Sequence, residues 1–163
     1  MEMVSNQTRV QEILTGMARL VPGYKSYSVK EDLRSNDTLL RRITAEALRG
    51  LQESIKRSKS AYLLSGDLAT VGELSRLETE CFLVESEYIS AKRGYSAVFQ
   101  ENQINEDKLL QILEFDRGHS EIVSKLSLLA SKDIELTDLG NIKTVTRQCK
   151  AALDQRANLL RGL

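Results

Sequence analysis

The chain has 163 residues, no net formal charge, 41% hydrophobic and 28% charged side chains. That is one domain's worth of soluble globular sequence, long enough to bury a working core. Charge neutrality removes a global field toward nucleic acid or anionic lipid, and 5% aromatics without tryptophan is poor material for a base-stacking platform. No segment approaches the roughly 20 apolar residues needed to span a bilayer.

A single proline leaves long helices uninterrupted. Val10, Ile13, Met17 and Leu20 share one helical face, which predicts a short first helix stopping before Val21-Pro22-Gly23. The stretch lacks a basic n-region followed by an apolar run, so no secretory signal is read here and a cytoplasmic protein is expected. Pro22 to Ser28 is predicted as a loop. Its Tyr24, Lys25 and Tyr27 form a candidate partner contact, since loops displayed on rigid scaffolds carry function and tyrosine favours interfaces. The alternative is that the rings fold down as a plug over the core.

Ser28 and Glu31 match a capping box for a second helix, whose core face runs through Leu33, Leu40, Ile43, Ala47, Leu51, Ile55 and Tyr62. Arg42, Arg49 and Lys56 make a candidate basic face, but Glu46 and Glu53 interrupt it at three- and four-residue steps. That favours a solvated face laced with ion pairs over a phosphate-binding surface. Ser65-Gly66-Asp67 is a break short enough to return the third helix antiparallel beside the second.

The third helix has the longest heptad seam: Leu74, Leu77, Cys81, Val84, Tyr88, Ala91, Tyr95, Val98. It is predicted to reach about Gln100, roughly 50 Å in length. Residues 29–64 hold eight Lys/Arg against five Asp/Glu, and residues 65–100 hold three against six. A basic helix folded on an acidic one is complementary at its flanks. After a polar break at Asn102 to Asn105, a fourth helix aligns Leu109, Ile112, His119, Val123, Leu126 and Ala130. After Asp133 to Asp138, a last helix aligns Ile142, Val145, Cys149, Ala152 and Leu159.

Asp116 and His119, the only histidine, occupy successive seam positions and form a candidate buried polar layer that fixes helix register. A proton switch near neutral pH is the sharper reading of the same pair. A di-iron bundle needs a second Glu-x-x-His, and no second histidine exists. Cys81 and Cys149 have no CxxC or HxxxH neighbours, and neither a nucleophile elbow nor a phosphate loop is present. No cofactor, metal or catalytic residue is expected.

These features predict an all-α fold, an elongated antiparallel bundle of four long helices plus a short N-terminal helix. One domain would span 1–163, with residues 1–28 as helix and tyrosine loop and 29–163 as the bundle. The expected function is that of a non-enzymatic interaction or scaffold protein, binding a partner protein or a second copy through helix faces in coiled-coil fashion. A peripheral membrane or coat module, using the basic helix or the N-terminal amphipathic segment, is the alternative, although a membrane surface is not favoured. An enzyme or ligand-binding bundle with an unrecognised site comes third.

Overall fold

A computed structural model describes residues 2–25, 30–91 and 106–161. The fold is all-α, five helices packed as a helical bundle, with no strand among the described residues. The elements are α1 (Glu2–Leu20), α2 (Lys30–Ser65), α3 (Leu68–Ser90), α4 (Glu106–Ala130), a short 3-10 turn (Leu136–Asp138) and α5 (Leu139–Arg161). The described residues build two compact units: 2–25, 30–40, 106–121 and 153–161 form the first, 41–91 and 122–152 the second.

In the first unit α1 buries Ile13 and Met17, and the chain then turns at the predicted Pro-Gly. Tyr24 N–H donates to the Val21 carbonyl at 3.1 Å, with Gly23 at φ +91°. Proline followed by a positive-φ glycine is the signature of a type II turn. The turn drops Val21 and Tyr24 into the core, whereas Leu20, expected on the buried face, is 56% exposed. The first helix is also longer than expected, beginning at Glu2. The predicted cap at Ser28 lies outside the described residues.

In the second unit α2 and α3 are antiparallel, joined through Gly66 at φ +82° and capped by Asp67, whose carboxylate accepts from the Thr70 N–H at 3.1 Å. Increasing positions on α2 meet decreasing ones on α3: Arg41 holds the Tyr88 carbonyl, Arg49 holds Glu85, Lys59 holds Glu78. The core is Leu48, Leu51, Ile55, Leu74, Leu77, Cys81, Val84, Leu126, Ile142, Val145 and Cys149. On α2 it is Leu48, not Ala47, that turns fully inward.

Helix α3 is shorter than its seam implied. It stops at Ser90, and Ala91 leaves the helix at φ −56°, ψ 125°. Twenty-three residues make about 35 Å rather than 50. The guanidinium of Arg41 donates to the Tyr88 carbonyl and also to that of Ala91, satisfying acceptors that a continuing helix would have consumed. Tyr95 and Val98 lie outside the described residues.

The α4–α5 joint is stitched to α2 by two serines. Ser54 donates to the Lys132 carbonyl at 2.5 Å, and Ser58 accepts from the Ile134 N–H at 2.8 Å. Both serines are buried, so each offsets its own desolvation by tying down joint backbone. No described helix is long and apolar enough to cross a membrane.

Candidate functional site

The first unit contains a buried layer of polar side chains, and both residues expected there, Asp116 and His119, are in it, 0% and 3% exposed. Three further residues complete it: Asn36, Asp37 and Arg156, none more than 4% exposed. Arg156 projects inward from α5. Its Nε donates to Asp37 Oδ1 of α2 at 2.6 Å, and its Nη1 donates to Asp116 Oδ1 of α4. One planar guanidinium therefore bridges carboxylates on two other helices, a task for which a lysine's single nitrogen is too compact.

The tyrosine loop closes over this layer. The Tyr24 hydroxyl donates to Asp116 Oδ2 at 2.6 Å, and the residue is 8% exposed. Asn36 reads the next residue's backbone from below: its Oδ1 accepts the Lys25 N–H at 2.7 Å and its Nδ2 donates to the Lys25 carbonyl at 2.9 Å. Of the candidate contact, then, Tyr24 is engaged inside the protein, Lys25 is exposed but pinned by its backbone, and Tyr27 lies outside the described residues.

His119 sits one turn beyond Asp116 on α4, edge-to-face with Phe115 at 6.2 Å between ring centroids. Burial pushes its imidazolium down to about 4, and the Arg156 charge adds to that, with Asp37 opposing. That shift favours the neutral ring near neutral pH, which speaks against the sharper reading of a proton switch there.

The basic face is sited in the second unit, and each member has an acidic neighbour. Arg42 lies 4.0 Å from Glu46, as the i,i+4 spacing implied. Arg49 is 2.8 Å and Lys56 3.8 Å from carboxylates of α3, Glu85 and Glu78 respectively. Glu85 is 5% exposed and also accepts from Gln52 at 2.6 Å, so Arg49 serves chiefly to neutralise a buried acid. The complementarity of the α2 and α3 charge rows is realised as contacts.

Both thiols are buried. Desolvation pushes Cys81 up to about 11 and Cys149 up to about 12, which leaves no nucleophilic thiolate near neutrality. No group of three or more metal-ligating side chains is present among the described residues. Open grooves among the described residues of the first unit include one of about 460 Å³ beside Gln11, Thr15 and Lys25 and one of about 540 Å³ beside Lys108, Glu114 and Asn158. Neither is lined by Asp37, Asp116, His119 or Arg156. Within the layer the Asp37 and Asp116 carboxylates are both engaged by the Arg156 guanidinium.

The missed members were detectable. Between Leu33 and Leu40, and between Ala152 and Leu159, the apolar seams skip a step, and Asn36, Asp37 and Arg156 stand in those gaps. No protein-family model, curated protein or solved structure matches this chain.

Proposed function

We propose that this chain is a non-enzymatic scaffold that works by offering outer helix faces to another polypeptide. The observation that supports the reading is on α3, where Leu68, Phe82 and Ile89, fourteen and seven residues apart, are 67%, 55% and 62% exposed. Large apolar groups clustered on one solvent face of a rigid helix are where a partner gains most from burial. The polar layer of Asn36, Asp37, Asp116, His119 and Arg156 is meanwhile buried. A phosphate or lipid surface is less well supported, because Arg42, Arg49 and Lys56 each have a carboxylate beside them.

The test compares the wild type with a Phe82→Glu, Ile89→Glu variant, both purified from their native source under gentle conditions and weighed by light scattering. The reading expects stoichiometric association, with itself or with one other polypeptide, that the double variant loses while its circular dichroism stays unchanged. A wild type that is monomeric and alone, or an association the variant leaves intact, overturns it.

A further inference from the structure

We draw no further inference here: the strongest candidate, the patch of exposed leucines Leu63, Leu64 and Leu68 at the α2–α3 turn of the second unit, carries nothing because Asp67 among them is spent on capping α3 at Thr70 and nothing in the structure shows what covers it.

Discussion

Arg156 concentrates the energetics of the first unit in one side chain. Its guanidinium is 5% exposed and donates to two carboxylates, Asp37 and Asp116, of which the second also receives the Tyr24 hydroxyl. Deleting one partner of such a cluster is worse than never having built it, because the remaining charges are left in a medium that cannot solvate them. Arg156→Ala is expected to cost about 3–5 kcal/mol in urea unfolding. Arg156→Lys should recover little of that, since an ammonium cannot reproduce the two-pronged geometry. Equal stability of the lysine variant and the wild type would show that charge alone, and not the bridge, holds the layer.

At the level of elements, periodicity carried most of the information. The inner seam of α3 through Tyr88, the break at Gly66 and the pairing of a basic with an acidic helix all follow from spacing and charge. Glycine positions with opposite duties test how local these determinants are. Gly66 ends α2 at φ +82°, whereas Gly118 lies inside α4 with open space where a Cβ would stand. Gly66→Ala should lose about 1–2 kcal/mol to left-handed strain, and Gly118→Ala should gain up to about 1 kcal/mol from helix propensity; thermal melts of the two variants should move in opposite directions. What spacing did not reveal was where the polar layer closes. Asn36, Asp37 and Arg156 sit at seam positions that a search for apolar residues steps over, and their meeting with Asp116 depends on the register between helices remote in sequence. Register is set by packing, to which a one-chain periodicity is blind. The end of α3 was illegible for a related reason. Its cap is the guanidinium of Arg41, 47 residues away from Tyr88, so nothing near Ser90 announces the stop.

On the scale of the molecule, both units bury a carboxylate paired with an arginine, but only the first buries an imidazole, and the two should answer mild acid differently. The second unit's apolar core is aliphatic apart from Cys81, Cys149 and Tyr88, whose hydroxyl donates to the Cys149 carbonyl at 2.5 Å, and the polar groups buried beside it, Glu85 among them, include no histidine. The first depends on a layer containing His119, whose folded-state value of about 4 lies below its ordinary 6.5. The folded state resists that proton, so between these two values the unfolded chain binds more protons than the native one, and stability falls as pH falls. The contribution is complete above about pH 6.5 and is lost progressively down to about pH 4, amounting to roughly 3 kcal/mol over the window. Hydrogen exchange should register it first in the first unit. Amides of Ile112 and Leu113 should lose protection as pH is lowered from 7 to 4.5, while those of Leu51, Leu74 and Leu126 hold, after correction for the intrinsic pH dependence of exchange. A His119→Gln variant lacks the titrating group, and its first-unit protection should run flat through the same range. If both units lose protection together in the wild type, the acid response belongs to one cooperative whole; if the glutamine variant keeps the slope, the imidazole does not set it.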